Sequence, residues 1–235
     1  MASWAKILDA GVPQLVNEYG WIFLWRNGSP SKISINNYNY YLGPNATPES
    51  CRNMQAYWLQ LETEWLRSER SLAGVLSFCY LTNNYGYTGD WFINHIKDLE
   101  PSPTLRWFKH CFAPEAVFID LTDERYTKHI TPHQPGSDFV FNMLGINDLN
   151  RLSKGKLTLK LLDASGEAVV QNQAEIKIQP YGKSLIPTFM KLPQKTGGYL
   201  LVAEYCPDGQ TQPVISRRYL KIGELPKCDF YEMKP

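Results

Sequence analysis

The stretch that most restricts the fold is TPESCRNMQAYWLQLETEWLRSE, Thr47 to Glu69. Thr47 has the side-chain oxygen of a helix cap, and Pro48 suits the first helical position, where a missing N–H does no harm. Cys51, Met54, Trp58, Leu61 and Trp65 then recur every three or four residues, so one helix face must pack against something apolar. This helix lies between two near-continuous apolar runs, Leu15–Tyr19 and Ser71–Thr82. Runs of that kind, bounded by Gly20 and by Asn83, Asn84 and Gly86, read as buried strands. Strands joined through a helix pair in parallel, and ligands collect at the C-terminal ends of such strands. Glu18 lies at one such end, with Tyr80 and Thr82 near the other. A carboxylate at the end of a buried strand must be paired, hydrogen-bonded or chemically employed.

Upstream, Ser3 can cap a short helix to Ala10, with Gly11 at its C-terminal turn. The stretch RNGSPSKISINNYNYYLGPNA, Arg26 to Ala46, reads as a long polar and aromatic loop. The composition changes at LEPSPTLRWFKHCFAPEA, where Pro101 and Pro103 precede a short helix, Thr104–Phe112, and Pro114 ends it. From there on, short strand-like runs alternate with turn signals, as in a β-sandwich. The candidate strands are Val117–Leu121, Phe139–Leu144, Lys156–Leu162, Val169–Ile178, Leu185–Met190, Tyr199–Tyr205 and Val214–Ile222. The fold expected is therefore α/β followed by all-β: an α/β part over residues 1–112, an immunoglobulin-like sandwich over 113–223, and a tail over 224–235.

Lysine and arginine number 24 against 23 aspartates and glutamates, so no overall field attracts nucleic acid or an anionic membrane, and a neutral partner is expected. Aromatic residues make up 13 % of the chain, and all seven tryptophans lie at or before Trp107, which suits either an aromatic core or the flat faces of sugar rings. Five cysteines at scattered spacings, Cys51, Cys79, Cys111, Cys206 and Cys228, read as buried free thiols. The four histidines fall in unrelated settings, so no metal site is expected. No cofactor is implied. The opening MASWAKILDAG lacks the basic flank and continuous apolar segment of a signal peptide, and no apolar run approaches a membrane span.

At VNEYGW and the elements behind it, the chain resembles the C-terminal part of a retaining glycoside hydrolase of the family 2 type, related to β-galactosidases and β-glucuronidases. The resemblance runs from Met1 to about Gly223 and rests more on the order of elements than on the short motif. It implies the C-terminal part of a (β/α)8 TIM barrel, about strands 7 and 8, followed by an immunoglobulin-like β-sandwich. By the same resemblance Glu18 is the nucleophile at the end of barrel strand 7, with Asn17 and Tyr19 beside it in the sugar site. An Asn-Glu pair in this clan usually marks the acid/base at strand 4. Only one further apolar strand precedes the sandwich here, which favours strand 7. Where the family commonly has a tryptophan at the end of strand 8, this chain reads Phe78, Cys79, Tyr80. The platform role then falls to Tyr80 or to Trp91, and Asp90 is expected to bind a sugar hydroxyl. Trp21 and Trp25 are open to either a second platform or core packing.

Retaining hydrolysis needs a nucleophile and an acid/base about 5 to 5.5 Å apart, and this chain supplies the first. Glu62, Glu64 and Glu69 read as solvated charges on the helix. The expectation is a fragment of a glycosidase, inactive by itself, whose partners are a carbohydrate substrate and either the missing barrel or another copy of itself. An exported parent protein would be usual for the family. The alternative is a non-catalytic carbohydrate-binding or protein-interaction module.

Overall fold

The computed structural model describes residues 12–82 and 88–235. The helix expected over Ser3–Ala10 and the loop residues Asn83, Asn84 and Gly86 lie outside them. The chain forms two compact units, one ending at Phe112 and the other spanning Ala113–Lys234.

The first unit runs β1 (Gln14–Val16), α1 (Ile35–Leu42), α2 (Pro48–Ser68), β2 (Leu72–Val75), β3 (Phe92–Ile93), β4 (Glu100–Pro101) and α3 (Pro103–Cys111). β1 and β2 pair in parallel, with Gln14 opposite Leu72 and Val16 opposite Val75. Among the described residues this unit holds two two-stranded sheets, β1–β2 and β3–β4, and no closed barrel. Both strands of the parallel pair are shorter than the apolar runs implied. Leu15 is 55 % exposed, as is Leu76 just past β2, so the pair is not buried on both faces as expected. An apolar run shows that burial is possible; a covering layer must be present to achieve it.

α2 begins where the sequence indicates, the Thr47 Oγ1 accepting a hydrogen bond from the Ser50 amide at 3.1 Å. Its buried face differs from the expected one. Cys51 and Met54 are fully buried, whereas Trp58, Leu61 and Trp65 are only partly so; Gln55, Gln60, Thr63 and Glu64 are buried with them. The helix packs on two sides, and one of them is α3, through Leu59 with Phe108 and Cys111. Glu64, expected in solvent, accepts a 2.8 Å hydrogen bond from Gln60 Nε2. Gln55 donates to the Ile22 carbonyl at 2.9 Å and accepts from Thr104 Oγ1 at 2.9 Å. Apolar periodicity is blind to polar groups that are buried because they are bonded.

α1 lies within the stretch Arg26 to Ala46, which the sequence reads as loop. Its Tyr38 is buried and donates to the Ile22 carbonyl at 2.7 Å, and its Tyr41 ring meets Trp58 edge-on at 4.4 Å. These tertiary contacts stabilise an asparagine- and tyrosine-rich stretch of low intrinsic helix propensity.

The second unit is a seven-stranded antiparallel sandwich. Its strands are β5 (Glu115–Asp120), β6 (Asp138–Asn147), β7 (Ser153–Leu162), β8 (Ala168–Ile178), β9 (Lys183–Lys191), β10 (Gly197–Pro207) and β11 (Val214–Ile222). One sheet is ordered β5-β6-β9 and the other β11-β10-β7-β8. β7 shows why the strands form: Leu157, Leu159 and Leu161 face the core while Lys154 and Lys156 face water, the two-residue alternation of a half-buried strand. The leucines meet Leu201, Ala203 and Tyr205 of β10 and Met143 of β6 in one core.

The last residues, the tail over 224–235, lie along the sandwich. Phe230 packs on Tyr219 with ring centroids 5.1 Å apart, and the Tyr219 hydroxyl donates to Glu232 at 3.0 Å. Arg125 stacks over the Tyr219 and Phe230 rings at 4.7 and 5.3 Å and pairs with Glu232. Phe230→Ala should therefore lower sandwich stability by about 2 kcal/mol, less than a fully buried ring because Phe230 is half-buried. The sandwich has no tryptophan, so far-UV circular dichroism during urea unfolding is the measurement. Burial, as the largest cause, pushes the Tyr219 hydroxyl up from 10.0 to about 12. A raised acid favours the folded state while it stays protonated: this contribution is complete below about pH 10 and is lost as pH rises through about 12. Tyr219→Phe should flatten the decline in Tm over that interval; an unchanged slope would count against the assignment.

Candidate functional site

Two segments leave the parallel pair side by side. Beyond β1 and β2, the Leu76 amide donates to the Val16 carbonyl at 2.8 Å and the Phe78 amide to the Tyr19 carbonyl at 3.3 Å. The exit 17–20 therefore runs against the exit 76–80, at the C-terminal end of both strands. Gly20 makes the close approach possible. Its φ is +87°, and a Cβ there would lie 2.7 Å from the Leu59 side chain of α2, so both the left-handed backbone and the space require glycine.

The expected site residues separate into two groups. Asn17 and Glu18 are exposed, Tyr80 is 62 % exposed, and Trp21 beside them is 61 % exposed. The setting expected for Glu18, a carboxylate at the end of a buried strand, is not the one observed: its side chain stands in solvent, and no hydrogen bond or ion pair engages it among the described residues. Trp25 is half-buried and shapes a turn instead, its carbonyl accepting from Gly28 at 2.7 Å.

Tyr19, Asp90 and Trp91 are buried, at 4 %, 4 % and 2 % exposure. Tyr19 points into the unit, where its hydroxyl lies 2.6 Å from Thr63 Oγ1. Thr63 spends its own hydrogen on the Leu59 carbonyl at 2.6 Å, so Tyr19 is the donor. Burial raises the Tyr19 hydroxyl far above its usual range, which keeps it neutral and unsuited to proton transfer at neutral pH. Trp91 sits with Leu59 and Cys111 and meets Phe108 edge-on at 5.5 Å; it is core and not a sugar platform.

Asp90 has no accepting capacity left for a sugar hydroxyl. Its Oδ1 accepts from Arg26 Nε at 3.2 Å and the Phe92 amide at 3.1 Å; its Oδ2 accepts from Arg26 Nη2 at 2.6 Å and the Thr82 amide at 3.1 Å. Four donors occupy the four acceptor positions of a carboxylate. Its side chain is 0 % exposed and that of Arg26 is 11 %. Arg26 Nη2 also reaches the Thr82 carbonyl at 2.7 Å, and Arg52 of α2 holds the Arg26 carbonyl at 2.8 Å. Sequence reading did not single out Arg26. A usable signal exists: Arg26 in WIFLWRNG and Asp90 in TGDWF are each the lone charge of an aromatic loop, and two such charges can enter an interior only together.

Beside the pair, Gly89 passes against the backbone of the first loop. A Cβ built on it would fall 1.6 Å from the Leu24 carbonyl oxygen, so no other residue fits that approach.

Cysteines Cys51 and Cys111 are buried as expected, whereas Cys79, Cys206 and Cys228 are partly exposed; all five are free thiols. His133 bonds Glu124 through Nε2 at 2.7 Å. Among the described residues no group of three or more His, Cys, Asp or Glu side chains is placed to hold a metal ion. No described helix is long and apolar enough to cross a membrane.

No protein-family model matches this chain, and no curated protein matches it either. Among solved structures, it is similar to a β-glucuronidase from glycoside hydrolase family 2 at 12 % identity and a TM-score of 0.32, over 44 % of this chain and 10 % of that one. A transglutaminase from red sea bream is 13 % identical with a TM-score of 0.34, over 48 % of this chain and 17 % of that one. A family 123 glycoside hydrolase from Clostridium perfringens is 11 % identical with a TM-score of 0.33, over 47 % of this chain and 28 % of that one. The matched parts thus span about a tenth to a quarter of those proteins. Likeness at this level assigns no activity, and the functional reading rests on the geometry.

Proposed function

We propose that the chain is part of a retaining glycoside hydrolase acting on oligo- or polysaccharides and supplies its nucleophile, Glu18. The observation that carries this reading is an exposed carboxylate at the C-terminal end of a parallel β-α-β pair, with the exposed rings of Trp21 and Tyr80 on the same two segments that leave the strands. That end is where parallel sheets present ligands, and aromatic faces suit sugar rings. In the first step a Glu18 oxygen bonds to the anomeric carbon while the bond from that carbon to the leaving oxygen breaks. The leaving oxygen takes the bonding pair and a proton from the acid/base; in the second step water attacks the same carbon, gives a proton back to that base, and Glu18 leaves as a carboxylate. Asn17 and Tyr80 stand as the substrate contacts.

Over residues 17–26 and 76–90 the carboxylates are Glu18 and Asp90, and Asp90 is locked onto Arg26, so the acid/base lies elsewhere. We assign it to further β/α units of the same barrel, which would cover Leu15, Leu76 and the open edges of the β1–β2 pair. Without it, turnover of ordinary glycosides falls by roughly 10²- to 10⁴-fold.

An activated substrate bypasses the need for the acid. A dinitrophenyl 2-deoxy-2-fluoroglycoside carries a leaving group that departs unprotonated, and the fluorine slows release of the glycosyl-enzyme. The expected result is one added glycosyl mass on the tryptic peptide containing Glu18, and none in Glu18→Gln. Labelling elsewhere, or none in the complete native protein, sinks the nucleophile role.

A second reading, a protein-interaction module, is favoured by the outer face of the β5-β6-β9 sheet. There Val140 and Phe189 form an exposed cross-strand pair at 71 % and 55 % exposure, with Leu185 at 60 % on the same strand as Phe189. Light scattering that shows a defined oligomer, lost in Phe189→Lys, supports this reading; a monomer in both proteins counts against it.

A further inference from the structure

We infer that Arg26 and Asp90 are the positioning pair of the candidate carbohydrate site, holding the aromatic platform residue Tyr80 beside the exit that carries Glu18. This rests on the carbohydrate reading above. Arg26 lies on the segment that follows Glu18, and Asp90 lies on the segment that follows β2 and carries Tyr80. Their ion pair therefore links the two chains leaving the parallel strands.

The linkage reaches Tyr80 from both sides. On one side, the Thr82 backbone is gripped twice, its amide by Asp90 Oδ2 at 3.1 Å and its carbonyl by Arg26 Nη2 at 2.7 Å. On the other, the Tyr80 ring packs edge-on against Phe92 at 5.4 Å, and the Phe92 amide is held by Asp90 Oδ1 at 3.1 Å. Tyr80 is exposed and has no core burial of its own to fix it, so these anchors hold it together with the Phe78 amide bond to the Tyr19 carbonyl. Arg26 is anchored in turn, because Arg52 of α2 donates to its carbonyl. The fork of a guanidinium is required: Nε and Nη2 engage the two carboxylate oxygens while Nη2 also serves the Thr82 carbonyl, and one ammonium cannot reproduce that geometry. A loop held in its binding position before ligand arrives avoids the ordering cost of binding.

The pair also bears on substrate charge. Over residues 17–26 and 76–90, Arg26 is the one cation in the sequence, and it is engaged by Asp90 and Thr82. These two segments bring no further cation for a sugar carboxylate, which suits neutral hexosides.

The test compares wild type, Asp90→Asn and Arg26→Lys in the native-length protein, with p-nitrophenyl β-glycosides of neutral hexoses as probes and hydrogen exchange as the second readout. Asp90→Asn is expected to speed exchange of the Thr82 and Phe92 amides at least tenfold and to weaken probe binding at least fivefold, while exchange in α2 and the sandwich stays unchanged. Arg26→Lys should fall between the two. Faster exchange with unchanged probe affinity overturns the positioning role and leaves a purely structural ion pair. Unchanged exchange overturns it as well. A folded wild type that binds no probe overturns the carbohydrate reading itself, and the positioning role falls with it.

Discussion

Asp90→Ala is expected to destabilise the first unit by about 3–5 kcal/mol, the loss typical when one partner of a buried ion pair is removed. The guanidinium of Arg26, with a side chain only 11 % exposed, would then lack its counter-charge, and the Thr82 and Phe92 amides would lose their acceptor. All seven tryptophans precede Ala113, so their fluorescence during chemical unfolding reports on this unit alone. The circular dichroism of the sandwich should unfold at an unchanged midpoint. A paired replacement, Arg26→Met with Asp90→Leu, should recover much of the loss, because it removes both charges from the interior together. A loss below about 1 kcal/mol for Asp90→Ala would mean that water reaches Arg26 and that the pair behaves as a surface ion pair.

The second large effect is expected in the sandwich. Asn147, at the end of β6, is fully buried at 0 % exposure. Its Nδ2 donates to the carbonyls of Arg151 at 2.6 Å, Gln179 at 3.1 Å and Ile178 at 3.2 Å, and its Oδ1 accepts from the Leu149 amide at 3.0 Å. One side chain thus joins the turn after β6 to the end of β8. Asn147→Ala removes all four of these bonds, one of them buried and three part-buried, and should cost about 3 kcal/mol. Asn147→Asp should be no better, since it keeps the acceptor but turns a carboxylate toward three carbonyl oxygens. Urea unfolding followed by circular dichroism separates the outcomes. If the aspartate variant matches wild type, the donors are not what stabilises this corner.

Those two residues also show where sequence reading stopped. Asn147 lies at the end of a strand that the pattern did find, yet its role depends on carbonyls 4, 31 and 32 positions away. Asp90 was visible as a lone charge among aromatics, and a sugar-binding role was the natural reading while Arg26, 64 residues away, was not known to be its neighbour. Trp91 and Tyr80 looked alike as platforms. The fold packed one ring under α3 and left the other in solvent.

What the sequence alone determined is local or periodic. The Thr47–Pro48 start of α2, the short helix after the paired prolines, and the seven alternating runs of the sandwich follow from capping, fixed dihedrals and the two-residue period of a strand. The parallel pairing of the strands flanking α2 follows from the helix between them. Tertiary structure alone decided which faces are covered: that Leu15 is exposed although its run is apolar, that Glu64 is buried although it is charged, and that the last residues lie on the sheet. Burial is a property of neighbours distant in sequence, and a residue's own chemistry sets only what its burial would cost. For the same reason, the exposed carboxylate of Glu18 and the enclosed one of Asp90 can be told apart only once both loops are folded.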